Sequence, residues 1–143
     1  PNKPLSRVDL IVETTDHKPN TEKKRIERNK GKVIFDGNVH RVNGNLAISR
    51  AFGDFYLKYN NTDRFKGPVS IKPDIYVTPI DNNYNYNVVI GSDGVWDVLD
   101  ADNIIDIYNH CINKNIKNIS DVIGAVAYKN GSTDNITVLT SEL

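Results

Sequence analysis

The chain has 143 residues, with 18 Lys plus Arg matched by 18 Asp plus Glu and a net charge of zero. That balance weighs against a general nucleic-acid binder, which carries a basic excess, and no apolar run reaches the ~20 residues needed to span a bilayer. A single cysteine, Cys111, excludes an internal disulfide, and with the scattered His17, His40 and His110 it makes no zinc pattern. The length fits one domain or part of one. The start at Pro1 and the lack of any Met lead us to expect a piece of a longer chain.

Residues 1–9 carry two prolines and read as a loose lead-in. Leu10-Ile11-Val12 reads as a short strand, and Asp16 to Asn20 as a turn in which Pro19 disfavours helix just before it. Asn20 or Thr21 caps a helix to about Asn29, with Glu22 in its first turn and Gly31 past its end; Ile26 is its one apolar residue, so the helix is expected to be largely solvated. Lys32 to Phe35 and Asn38 to Val42 flank Asp36-Gly37, a type I′ hairpin signal, and Asn43-Gly44 marks a second turn. Leu46 to Ala51 fits a buried strand or a helix start equally well.

Residues 58–68 read as a polar loop, Ile75-Tyr76-Val77 as a strand, and the Asn-rich run Asp81 to Asn87 as a turn. Val88 to Ile90 is expected to be the central strand. Asp100 caps a helix whose stripe is Ile104, Ile105, Tyr108 and Ile112. Ser120 caps another, with Ile123 and Val126 inward and Gly131 past its end, and Ile136 to Thr140 is the last strand. Strands followed by segregated helices and a closing strand favour an α+β fold over a doubly wound parallel sheet.

Two stretches carry the chemistry. Ser92 to Asp97 and Ser132 to Thr137 each put an Asp, Asp93 or Asp134, at the junction of an apolar run and a loop. If those runs are antiparallel neighbours, the exit of one lies beside the entrance of the other. Two carboxylates then meet at a sheet edge, with Gly94 admitting a close backbone approach. Either Asp alone reads more readily as a turn residue. Together they are like charges that repel unless a cation sits between them, and carboxylates without His or Cys suit magnesium or manganese. Asp97 is read as a turn or helix-start residue and Trp96 as a core anchor.

The sequence resembles the metal-dependent protein phosphatases, protein phosphatase 2C or PPM, over nearly all of residues 11–143. Asp16-His17-Lys18-Pro19 is similar to that family's DHKP segment, and Glu22 to Arg28 with Gly31 fit its following helix and glycine. Arg41 to Asp54, RVNGNLAISRAFGD, matches its R-V-x-G-x-L-A-V-S-R-A-x-G-D signature, and Lys72-Pro73-Asp74-Ile75 its K-P-D/E segment. Gly91 to Leu99 matches A-x-D-G-x-W-D-V, and Gly131 to Val138 matches G-S-x-D-N-x-T-V. Six such matches in order are specific where one is weak.

The resemblance implies part of a two-sheet antiparallel β-sandwich flanked by helices in α-β-β-α layers. Residues 1–143 would be the C-terminal portion of the catalytic domain, with a flap-like segment at about 16–45. It implies Asp93 and Asp134 as ligands of a two-metal Mg²⁺ or Mn²⁺ site that hydrolyses phosphoserine and phosphothreonine in proteins by direct attack of an activated water. The family's D-G-H and G-D-S-R segments, its phosphate-binding Arg and its proposed general-acid His have no counterpart here. The isolated chain is therefore expected to be inactive and to hold metal poorly. A non-catalytic phosphatase-like binding module is the alternative.

Dimerisation, strand exchange or contact with the missing N-terminal half is expected to cover exposed apolar faces. An intracellular setting, cytoplasmic or nuclear, is expected. Residues 17–41 hold eight basic against three acidic side chains, which reads as a steering surface or as a solvated helix. Arg50 is expected to pair with Asp54, and His17 to be a turn residue.

Overall fold

The computed structural model describes residues 8–59 and 66–143. They form two compact units, one from Thr14–Val77 and the other from the described residues up to Glu13 together with Thr78–Leu143. Helices and antiparallel two-stranded sheets make both units α+β, the class expected from the sequence.

The Thr14–Val77 unit begins with α1, Lys23–Arg28. Glu22 occupies the N-cap position, and no side chain caps the helix, contrary to the cap expected from Asn20 or Thr21. Ile26 is fully buried with Val42, Leu57 and Val69. Strands β1, Val33–Phe35, and β2, His40–Val42, pair antiparallel with Phe35 opposite His40. Four residues therefore connect them, not the two of a type I′ hairpin. The Asp36 carboxylate accepts from the N–H groups of Asn38 (2.9 Å) and Val39 (2.9 Å) and pairs with Arg41, which closes the wider turn. The positive-φ pair falls instead at Asn43 (53°) and Gly44 (79°), where the chain turns back so that Val42 bridges Leu46.

A short 3₁₀ turn spans Phe55–Leu57. Residues 60–65 of the expected polar loop lie outside the described residues, but its ends are not solvated. Lys58, Gly67, Pro68 and Val69 are buried, and Gly67 N–H donates to Lys58 O (2.9 Å). Ile75-Tyr76-Val77 and Leu10-Ile11-Val12 have no ladder partner and are largely exposed, so neither is a strand among the described residues.

One carboxylate organises this unit. Glu22 receives Arg50 Nη2 (2.6 Å), Arg50 Nε (3.0 Å) and Arg25 Nη2 (2.7 Å), and lies 2.7 Å from the hydroxyl of fully buried Ser49. The same guanidiniums reach out to other segments. Arg25 donates to Pro68 O (2.9 Å) and Ser49 O (2.8 Å), and Arg50 to Lys72 O (3.0 Å) and Asp74 Oδ1 (2.7 Å). Asp74 in turn lies 3.4 Å from His17 Nε2, and His17 O accepts from Ser49 N–H (2.8 Å). Arg50 thus pairs with Glu22 and Asp74, not with Asp54, whose left-handed backbone (φ 45°) opens the 3₁₀ turn.

The other unit contains β3, Asn87–Gly91; a short α2, Asp93–Trp96; α3, Ala101–Lys114; α4, Ile119–Lys129; and β4, Val138–Glu142. Asp100 caps α3 in a reciprocal capping box with Asn103, as its sequence foretold for the cap. The buried stripe is Ile104, Ile107, Tyr108 and Cys111, an i, i+3, i+4, i+7 set rotated from the expected one, and Ile112 is 39% exposed. Asn118, not Ser120, takes the N-cap position of α4. Strands β3 and β4 pair antiparallel from Asn87–Glu142 to Gly91–Val138, so Val88 to Ile90 has one strand neighbour among the described residues and is not central. Val89 and Val138 face the core of α3 and α4, while Ile90 and Leu139 stand opposite each other on the exposed face.

The balance at Glu22 sets an acid limit. Burial disfavours its charge, but hydrogen bonds from Arg50, Arg25 and Ser49 outweigh this and hold the carboxyl well below the usual range. Its stabilising contribution is complete above the unfolded value of about 4.3 and declines as pH falls below that. Glu22→Gln is expected to destabilise by about 2–3 kcal/mol in urea unfolding at pH 7. The gap from wild type should narrow as pH is lowered below about 4; a gap that is constant with pH would contradict this assignment. In the other unit the Tyr108 hydroxyl is buried with no hydrogen-bond partner among the described residues, so Tyr108→Phe is expected to leave the melting temperature unchanged or raise it.

Candidate metal centre

The site is built where β3 and β4 run out. Beyond the last ladder pair, Gly91 with Val138, Ser92 N–H still donates to Thr137 O (3.0 Å). Ser92 takes the N-cap position of α2 with extended backbone, yet its hydroxyl does not cap the helix. Instead Ser92 Oγ donates to Asn135 O (2.9 Å) and accepts from Thr137 N–H (3.1 Å). From the other side, Ser132 Oγ donates to Gly94 O (2.7 Å). The segment carrying Asp93 and the segment carrying Asp134 are thereby laced together by two serines.

Gly94 makes the lacing possible. It is buried, and a Cβ there would sit 2.4 Å from Asn135 O and 3.0 Å from Asn135 C. Only a residue without a side chain lets the two backbones come this close. Trp96 braces the same corner, its indole N–H donating to Gly91 O (2.8 Å) while the ring packs on the helical core, in keeping with an anchor role. Asp97 ends α2.

Asp93 and Asp134 are both exposed. Asp93 Oδ1 accepts from Gly94 N–H (3.1 Å) and Asp134 Oδ1 from Asn135 N–H (2.7 Å). Neither has a salt-bridge partner among the described residues, so each presents a carboxylate held by its own backbone on one oxygen. This donor set fits a hard divalent cation in its chemistry: anionic oxygen, restrained main chain and no soft ligand. Among the described residues no group of three or more His, Cys, Asp or Glu side chains gathers. Ser92 and Ser132 were not singled out from the sequence. The signal was there in their place beside Asp93 and before Asp134, but a hydroxyl that laces two segments looks the same in sequence as a solvated one.

Residues 10–136 match the family model described as protein phosphatase 2C. The chain belongs to the protein phosphatase 2C family. It is 40% identical over 97 residues to the rice (Oryza sativa subsp. japonica) probable protein phosphatase 2C 44, covering 66% of this chain and 27% of the relative. It is 32% identical to protein phosphatase ppm-1.A of Caenorhabditis elegans, covering 90% of this chain and 28% of the relative. Among solved structures, a phosphatase from Toxoplasma gondii superposes with a TM-score of 0.73 at 31% identity over 91% of this chain and 42% of the other. A sex-determining protein of C. elegans gives 0.72 at 25% identity over 90% and 31%. This protein phosphatase 2C chain thus spans less than half the length of these relatives. No helix of the described residues is long and apolar enough to cross a membrane.

Gly94→Ala in this family member is expected to cost about 1–3 kcal/mol in chemical unfolding, because the new methyl meets a main-chain carbonyl and not a flexible side chain. Hydrogen exchange at the Thr137 amide should quicken in the same variant; unchanged protection would mean that the two segments do not depend on this contact.

Proposed function

We propose that this chain is the C-terminal portion of the catalytic domain of a magnesium- or manganese-dependent protein serine/threonine phosphatase. One observation carries the reading: in a chain of this family, Asp93 and Asp134 stand on two segments that are laced together at one end of the β3–β4 pair. Bound there, divalent cations would supply charge neutralisation at the phosphoryl oxygens and acidify water for attack on phosphorus.

The chain's own residues do the rest of the work assigned here. Asp93 and Asp134 offer anionic oxygens to the cation. Ser92, Gly94 and Ser132 fix the spacing of the two segments, so that binding does not have to order them. Phosphoserine and phosphothreonine proteins are the substrates under this reading. The remaining ligands and the groups that hold phosphate and protonate the leaving alcohol lie outside residues 1–143, so this chain alone is inactive.

The experiment is a manganese titration of the chain followed by isothermal calorimetry, with a phosphopeptide hydrolysis assay alongside. Weak binding that is diminished by Asp93→Ala and again by Asp134→Ala, with no turnover by the chain, is expected. Binding indifferent to both substitutions would refute the ligand assignment, and robust turnover would refute the division of the site. In a protein that includes the rest of the domain, either substitution is expected to lower activity by a factor of about 10² or more.

A further inference from the structure

Within the Thr14–Val77 unit, the Lys and Arg residues from Lys23 to Arg50 fall into two sets. Arg25, Arg50 and Arg41 are committed to Glu22, Asp74 and Asp36, and Lys23 lies 3.8 Å from Glu27. Lys24, Arg28, Lys30 and Lys32 are all exposed and, among the described residues, have no carboxylate partner. Internal pairing has used up the nearby acids and left these four bare, in a chain whose overall charge is zero.

Helix physics favours two of these four and opposes a third. Arg28 in the last turn and Lys30 just beyond it complement the negative end of the helix dipole. Lys24 sits in the first turn, where no acidic residue is present and a cation is unfavourable. Lys24 and Arg28 are also an i, i+4 pair of like sign, which weakens a helix. Stability of α1 is thus given up in keeping positive charge on this face.

The backbone beneath the charges is held. Gly31, between Lys30 and Lys32, is buried so closely that a Cβ would lie 2.4 Å from Pro68 Cβ. Lys32 N–H donates to Asn43 Oδ1 (2.8 Å) and Lys32 O accepts from Asn43 N–H (2.8 Å).

We propose that this face of α1 and the loop after it is a docking surface for an acidic polypeptide segment, rich in Asp, Glu or phosphorylated side chains. Charge complementarity selects the partner: four unpaired cations on a fixed main chain attract a run of carboxylates or phosphates. The net neutrality of the chain gives no broad field of the kind that gathers nucleic acid. Under the phosphatase reading the segment is a flank of the substrate, but the docking rests on charge alone and stands or falls separately.

The test is fluorescence anisotropy of a labelled Glu- and Asp-rich dodecapeptide against the chain, with a Gln/Ser-rich peptide of equal length as control. Binding of the acidic peptide alone is expected, weakening steeply as ionic strength rises from about 0.01 to about 0.15 M, over which the Debye length falls from about 30 to about 8 Å. Lys24→Glu with Arg28→Glu should weaken it by about tenfold or more, while Lys114→Glu with Lys129→Glu, exposed on the other unit, should not. Thermal melting of the first variant should stay close to wild type, because the gain from Lys24→Glu in the first turn is offset by the loss from Arg28→Glu in the last. If the double reversal fails to fold, Lys24→Gln with Arg28→Gln gives the same comparison. Equal affinity of wild type and the α1 variant overturns the proposal. So does tighter binding of a twelve-nucleotide RNA or of phosphatidylserine vesicles than of the acidic peptide.

Discussion

The arrangement at the candidate site depends on one close approach, that of the Gly94 backbone to Asn135. A carbonyl oxygen occupies the place where any other residue would carry its side chain. The ladder of β3 and β4 ends at Gly91 and Val138, and without this contact the two strand exits would be free to diverge. Ser92 and Ser132 lock the approach from both sides by spending their hydroxyls on backbone groups of the facing segment. Asp93 and Asp134 inherit their positions from it. Asp93 lies between Ser92 and Gly94 and Asp134 directly precedes Asn135, so the carboxylates are placed by main-chain geometry and not by packing of their own.

The two units use carboxylates in opposite ways. Glu22 is 13% exposed and saturated by two guanidiniums and a hydroxyl, and through Arg25 and Arg50 it ties together segments around residues 17, 49, 68, 72 and 74. Such a charge stabilises because every donor it needs is present. Asp93 and Asp134 are exposed and each bonds only its own following amide, which leaves anionic oxygen available for a cation or solvent. The chemistry of the side chain is the same, and the number of donors around it decides whether it serves as a clamp or as a ligand.

Much of the local structure was legible because its cause is local. Asp100 and Asn103 are three residues apart, so the capping box needs nothing from elsewhere. Asn43-Gly44 tolerates positive φ by its own sterics. The misjudged elements had causes at a distance. Asp36-Gly37 has the composition of a two-residue turn, but the Asp36 carboxylate bonds two amides and Arg41, and the wider loop wins. The stripe of α3 is rotated because Ile107 and Cys111 are the positions buried in one cluster with Val95 and with Ile123 and Ala127 of α4, a fact about neighbours and not about period. Leu10 to Val12 and Ile75 to Val77 have strand composition and no partner among the described residues, and a strand exists only by pairing.

The sequence by itself determined the family, the α+β class, and the two acids at the junctions of apolar runs and loops; that those runs pair antiparallel was a condition that the structure met. All of these are written in short, contiguous motifs whose physics acts within a few residues. Tertiary structure alone decided that Ser92 and Ser132 lace the two segments, that Glu22 and not Asp54 holds Arg50, and which of the basic residues remain unpaired. The first two outcomes join residues 28 to 45 positions apart, and along a chain a hydroxyl or a guanidinium carries no mark of the partner that folding will bring to it.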